Sequence, residues 1–186
     1  MTGILQNLNS ETITDTFSFL TLSGAEFTVE WVTLAIPAGT KAYARIINPP
    51  TKFILFNFRS LQMDQERGFY RAFTSFTGGT KTGDANIQKV RPDSPVDTEG
   101  TFEIITTPDT IDQSSRIVEI PLFGAVGQGN SPTLGDLASD LSIRVLPPAA
   151  QFLIEFENAS VADTYFRLEF KWWEVSPGFL PDAVGV

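Results

Sequence analysis

The chain has 186 residues and a mass of 20.4 kDa, the size of one ordinary domain, and a globule of this length buries roughly 70% of its unfolded surface without disulfides or metals. It contains no cysteine and no histidine, which excludes disulfide scaffolds, zinc ribbons, thiol nucleophiles, Ser-His-Asp triads and imidazole-built metal sites. Thirteen Lys and Arg against 22 Asp and Glu give a net charge of -9 and a pI near 4.4, a balance that repels a phosphate backbone, so nucleic acid is not an expected partner.

Taken in chain order, residues 1 to 12 are polar and nonperiodic and read as an N-terminal arm. Phe17, Phe19 and Thr21 then begin a period-two alternation, the spacing of half-buried strands. Phe27, Val29 and Trp31 form the next inward set, and the apolar run continues from Val32 to Ile36 until Pro37-Ala-Gly39 ends it. Tyr43-Ala-Arg-Ile-Ile47 and Phe53-Ile-Leu-Phe-Asn-Phe58 read as two neighbouring strands joined by a short Asn48-Pro49-Pro50 turn. Gly68 to Phe76, Gly100 to Thr107 and Arg116 to Leu122 repeat the strand theme.

Thr77 to Glu99 and Gly124 to Asp136, rich in Gly and Pro, read as long surface loops. Thr133 to Leu141 is the best helical segment, a short turn holding Leu134, Leu137 and Leu141 on one side. Late in the chain, Phe152, Ile154 and Phe156 alternate with Glu155 and Glu157, and Phe166, Leu168, Phe170 and Trp172 alternate with Tyr165, Arg167, Glu169, Lys171 and Trp173, which reads as antiparallel strands with one wet face. About ten strands with little or no helix predict an all-β antiparallel sandwich of one domain, residues 13 to 175, followed by an extended tail at 176 to 186. The start has no cationic region followed by an apolar one, and no apolar run reaches the ~18 residues of a membrane span, so folding in the cytoplasm is expected and no membrane partner.

Few residues suggest chemistry. Gly78-Gly-Thr-Lys-Thr82 has the outline of a phosphate loop but lacks glycine at Ser75 and at Thr80, so a hairpin turn is the preferred reading. Asp93, Asp97, Glu99, Asp109 and Asp112 offer oxygen ligands to calcium without an EF-hand register, and solvated turn acids account for them. Glu155 with Glu157, or Glu169 with Glu103 across a sheet face, provide the two carboxylates of a glycosidase, against the plainer reading of wet strand faces. Asn158-Ala-Ser160 matches a glycosylation acceptor and is set aside for want of a secretion signal. No catalytic, metal-binding or cofactor-binding residue, and no cofactor, is expected.

Charge divides unevenly, with +2 in residues 1 to 92 and -11 in residues 93 to 186. If the halves form separate faces, they favour contacts between copies. Trp173 is the odd aromatic: opposite in direction to Trp172, it lies with Tyr165 and the Arg167 stem, and it either stacks on a sugar, is covered by a loop of the same subunit or is buried at a contact between subunits. In the tail, Phe179 and Leu180 supply apolar area while Pro177, Gly178, Pro181 and Gly185 keep the segment extended, so it is either a frayed end or an arm docked on a neighbour. Trp173, Tyr165, Arg167, Phe179 and Leu180 are the expected interface residues.

The stretch Tyr43-x-Arg-Ile-x-Asn-Pro-Pro-x-x-Lys-Phe-Ile-Leu55, with the later order of Phe102 to Thr107, a Gly/Ser/Pro loop, Leu146-Pro-Pro, Phe152 to Asn158 and a last strand ending Phe170-Lys-Trp-Trp-Glu174, resembles the small jelly-roll virion proteins of tailed bacteriophages. The likeness is one of strands and breaks over residues 20 to 175, with no catalytic signature in it. It departs from the pattern at its Pro-Pro turn and its Trp-rich final strand. It implies a jelly-roll-like sandwich and a non-enzymatic structural role in the virion: a capsid decoration (cement) protein, a head-fibre base, or a ring or tail component. Its implied partners are further copies of itself, with a trimer as the suggested number, and the major capsid or other virion proteins. A carbohydrate- or receptor-binding sandwich of a fibre or tail is the alternative.

Overall fold

The computed structural model describes residues 25–64, 67–122 and 144–176. The sequence readings of a strand at Phe17 to Thr21, a loop at Gly124 to Asp136, a helical turn at Thr133 to Leu141 and an arm at Phe179 and Leu180 lie outside the described residues.

Thirteen strands are described: β1 (Glu26–Val32), β2 (Lys41–Ile47), β3 (Phe53–Met63), β4 (Gly68–Phe73), β5 (Phe76–Thr77), β6 (Lys81–Asp84), β7 (Asn86–Lys89), β8 (Thr101–Ile105), β9 (Thr110–Ile111), β10 (Arg116–Leu122), β11 (Arg144–Leu146), β12 (Gln151–Asn158) and β13 (Phe166–Val175). The helical content of the described residues is one 3₁₀ turn, Gln113–Ser115, capped by the Asp112 side chain. All strand pairs are antiparallel.

The pairing is nested. β1 pairs with β13, β2 with β12, β3 with β11 and β4 with β10, so the chain forms one long ribbon folded back on itself. Rolling that ribbon adds the pairs β3 with β13 and β4 with β12 and gives two facing sheets, β11-β3-β13-β1-β7 and β10-β4-β12-β2-β8-β6. This nested pairing is jelly-roll-like: the strand pattern anticipates the all-β sandwich, and the resemblance implies the jelly-roll form. The segment between β4 and β10 extends it: β8 and β6 lengthen the larger sheet, β7 lengthens the smaller, and β5 pairs with β9 as a separate short ribbon.

Three features differ from the sequence reading. First, β2 and β3 are not neighbours, since they lie in opposite sheets and Asn48-Pro49-Pro50 carries the chain across. The Asn48 amide donates to the carbonyls of Lys52, Leu146 and Pro147 at 2.8, 2.9 and 2.6 Å, pinning this crossover to the Pro147-Pro148 one. Second, β3 runs past Phe58 to Met63. Its register with β13 shifts between Glu169 and Phe170, so one extra β3 residue reverses the alternation, and both Ile54 and Leu61 reach the core despite opposite parity. Third, Thr77 to Glu99 contains β6 and β7, short polar edge strands that carry no apolar alternation for a sequence to display.

The core lies between the sheets. Phe27, Val29, Trp31, Phe166, Leu168, Phe170 and Trp172 from the smaller sheet meet Ala44, Ile46, Tyr70, Phe102, Phe152, Ile154 and Phe156 from the larger. Phe156 is central: its ring stacks on Phe166 at 4.5 Å and meets Trp31 at 5.2 Å and Tyr70 at 5.6 Å.

Candidate functional site

Among the described residues, the densest set of ionisable groups lies on the outer face of the larger sheet, where strand register builds it. Glu119 of β10 stands opposite Arg71 of β4, Arg71 opposite Glu155 of β12, and Glu155 opposite Tyr43 of β2. An adjacent row sets Phe69, Glu157 and Lys41 side by side. Because side chains on one face repeat every second residue, these two rows interlock.

Arg71 is the hub. It donates to Glu119 at 2.5 Å and to Glu155 at 2.8 Å, it also donates to Glu157, and its guanidinium carbon lies 4.7 Å from the centre of the Phe69 ring. Lys41 adds contacts of 3.1 Å to Glu155 and 3.8 Å to Glu157. Burial works against the Arg71 charge, but its hydrogen bonds to Glu157, Glu119 and Glu155 outweigh that and hold its pKa above the ordinary value. The hydrogen bond from Arg71 keeps the Glu119 carboxyl below its usual range.

Glu155 does not lie on a wet face, as its alternation suggests: it is 1% exposed. The same strand face is covered at Leu153, which packs with Tyr43, Phe73 and Ile105 in a second cluster under Phe76 of β5 and Ile111 of β9. Sequence period alone cannot reveal this, because the short ribbon that covers the face comes from elsewhere in the chain.

Burial, then the charge of Glu155 and the hydrogen bond to it, push the Tyr43 phenol up to about 12. A folded-state pKa above the ordinary value of about 10 means that the native state holds this proton more tightly than the unfolded chain does. The resulting stability is complete below about pH 10 and is lost as pH rises through about 12. Urea denaturation at stepped alkaline pH should show this decline, and Tyr43→Phe should flatten it; an unchanged slope in the variant would place its cause elsewhere.

The glycosidase pairs fare differently. Glu155 and Glu157 are brought together, but both are ion-paired to Arg71 and Lys41. Glu103 and Glu169 are not across one face, since β8 and β13 belong to opposite sheets. Glu103 pairs with Arg45 at 2.7 Å.

Among the turn acids, Asp93 pairs with Arg91, Asp97 with Lys89 and Glu99 with Lys52, while Asp112 caps the 3₁₀ turn. Among the described residues no three acids gather as a metal-holding group. Gly78 and Gly79 have φ of +74° and +84°, and a Cβ at Gly78 would stand 2.2 Å from the Asp109 carboxylate, so this glycine pair serves a turn. Asn158 is buried, with its amide donating to Ile36 and Ala162 carbonyls and its oxygen accepting from Ser160. No described helix is long and apolar enough to cross a membrane.

The expected interface residues separate. Trp173 is not outward and free, since it is 6% exposed, in a region of the smaller sheet where its register partners Glu26 and Leu55 are buried too. Tyr165 and Arg167 are exposed, with Arg167 held 2.7 Å from Glu30. Sequence reasoning passed over Arg71 and Lys41, although a cation in the middle of an apolar strand, as Arg71 is in β4, is a visible signal for a cross-strand carboxylate.

Compared with protein-family models, curated proteins and solved structures, the chain has no match.

Proposed function

We propose that this chain is a non-enzymatic structural protein of a bacteriophage particle, a capsid decoration protein that binds the shell and stabilises it through subunit contacts. Its partners in this reading are further copies of itself and the major capsid protein, and its location is the virion.

The observation that carries the reading is the way the jelly roll uses its buried carboxylates. Glu155 braces three strands through Arg71 and Lys41. Glu174 anchors the loop before β8 by accepting from the Thr98 hydroxyl and from the backbone N–H groups of Glu99 and Gly100, with Lys52 at 3.5 Å. A carboxylate fixed between cations is a poor proton shuttle and a good strut, because its charge is already compensated. The resemblance of the strand-and-break pattern to phage jelly-roll proteins adds the particle to the reading. Burial of Trp173 removes one argument for self-association, so shell contact ranks before a preformed oligomer.

Electron microscopy of the source particle with this protein gold-labelled tests the proposal. A regular array on the capsid surface is the expected result. Label at fibre or tail tips would favour a receptor-binding role, to which the exposed Tyr165 beside Asp64 and Arg167 is suited, and absence of label from the particle would overturn the virion assignment.

A further inference from the structure

One end of the sandwich displays aliphatic side chains that the fold holds outward. Val32 stands opposite Arg167, Thr33 is hydrogen-bonded to Phe166, and Ile36 bridges Thr164, so Leu34 and Tyr165 lie in the two facing segments between those ties. Thr33, Ile36, Thr164 and Phe166 are buried, so the residues between them face solvent. Exposure is 54% at Val32, 88% at Leu34 and 50% at Tyr165.

Val161, 97% exposed, belongs to the loop between β12 and β13. That loop is anchored beside Ile36 because the buried Asn158 amide donates to both the Ile36 and Ala162 carbonyls at 2.8 Å. A valine held in water by a buried polar staple is preorganised, so a partner would bear little ordering entropy in covering it. Single exposed aliphatics are ordinary, but these are gathered at one end of the roll.

The rim tells what fits. Arg167, opposite Val32, is paired with Glu30 and lies 4.0 Å from Glu169, and the Asp64 carboxylate accepts from the Tyr165 N–H and the Thr164 hydroxyl. The Arg67 carbonyl accepts from Ala159 at the start of the loop that carries Val161, and Asp163 stands exposed in that loop. Arg167 is already engaged with Glu30, and among the described residues neither Asp64 nor Asp163 forms an ion pair. The complement is an apolar surface rimmed by Lys and Arg. A second copy would set acids against acids on a chain of net charge -9. A glycan gains from aromatic faces and polar groups, and extracts little from exposed isobutyl and isopropyl groups.

We infer that Val32, Leu34, Val161 and Tyr165 form the surface by which this chain docks on a basic-rimmed apolar site of a shell protein. The inference rests on the capsid-decoration reading and names the face that this reading leaves open.

The test uses shells of the source particle assembled without this protein, with the purified chain added back and binding read by co-sedimentation. The double variant Leu34→Ser, Val161→Ser should bind about tenfold more weakly or worse, as loss of central apolar contacts does at other interfaces. Asp163→Lys should weaken binding severalfold at low salt, with the difference fading as salt rises. Both changes sit at exposed positions, and circular dichroism checks that the variants fold.

The chain has no cysteine, so Val161→Cys carrying a photo-cross-linker reports what lies against that loop. A cross-link to a Lys- or Arg-rich apolar peptide of the shell protein is expected. A cross-link to a second copy, to the chain itself, or to no protein while binding persists would overturn the assignment of this face, as would full binding by the double variant. If the unaltered chain fails to bind shells, the decoration reading falls together with this one, whereas binding that ignores the double variant refutes the docking face alone.

Discussion

Phe156→Ala should destabilise the protein by about 3–5 kcal/mol in urea denaturation, the range for deleting a buried aromatic ring from a close-packed core. The ring is fully buried and is shared between sheets: it stacks on Phe166 of the smaller sheet and touches Trp31 of that sheet and Tyr70 of its own. Its loss therefore opens a cavity at the seam that holds the roll closed, and the surrounding rings, themselves fixed in register, have little room to collapse into it. For a domain whose whole stability is on the order of 5–15 kcal/mol, that is a large fraction. Phe156→Leu retains most of the volume and should cost less than half as much. A loss below about 1 kcal/mol for the alanine variant would show that the two sheets do not depend on this contact.

Arg71→Ala should cost nearly as much, at the lower end of the roughly 3–5 kcal/mol seen when one partner of a buried ion pair is removed. The reason is the charge left behind. Glu155 is buried, and without Arg71 only Lys41, 3.1 Å away, compensates it. Glu157 and Glu119 are partly exposed and recover water, so they add less. Removing both charges is a different experiment. Arg71→Met with Glu155→Leu should return most of the lost stability, because apolar side chains of similar volume remove the desolvation cost as well as the attraction. If the double variant is as unstable as Arg71→Ala, the loss arises from packing over Phe69 rather than from the stranded carboxylate. The single-variant loss should change little between low and high salt, since buried pairs are weakly screened.

Alternation in the sequence made β1, β8, β10, β12 and β13 legible, because the period of two is a property of each strand alone. The inward residues Phe27, Val29, Trp31, Phe152, Ile154, Phe156, Phe166, Leu168, Phe170 and Trp172 are all buried as that period requires. The far half of β3 was hidden by its extra residue, which reverses the alternation between Ile54 and Leu61. β6 and β7 were hidden because edge strands are held by backbone hydrogen bonds, to which side-chain polarity is blind.

The charged face was half legible. Glu155 and Glu157 could be placed on one side of a strand from spacing alone, but the neighbours that decide their chemistry come from β2 and β4, more than eighty residues earlier in the chain. Docking face and interface aromatics show the same limit. Trp172 and Trp173 must point to opposite sides of β13, which spacing dictates, yet both are buried, and nothing in a strand's own period says whether its outer side is covered. Likewise Val32 and Leu34 belong to a continuous apolar run but stand in water: Val32 is on the outer side of β1, opposite in parity to Trp31, and Leu34 lies in the connection beyond the strand, before Ile36 turns back in.

What the sequence by itself determined is therefore the all-β class, the inward set of the main strands, and the exclusion of thiol and imidazole chemistry, each a local or compositional property. Only the tertiary structure decided that the Pro-Pro turn crosses between sheets, that Arg71 neutralises the paired glutamates, and that Trp173 is covered while Leu34, Val161 and Tyr165 are not. Those outcomes depend on which distant strand becomes a neighbour. In a ribbon rolled so that β1 meets β13 and β2 meets β12, almost every such neighbour is far away in the chain.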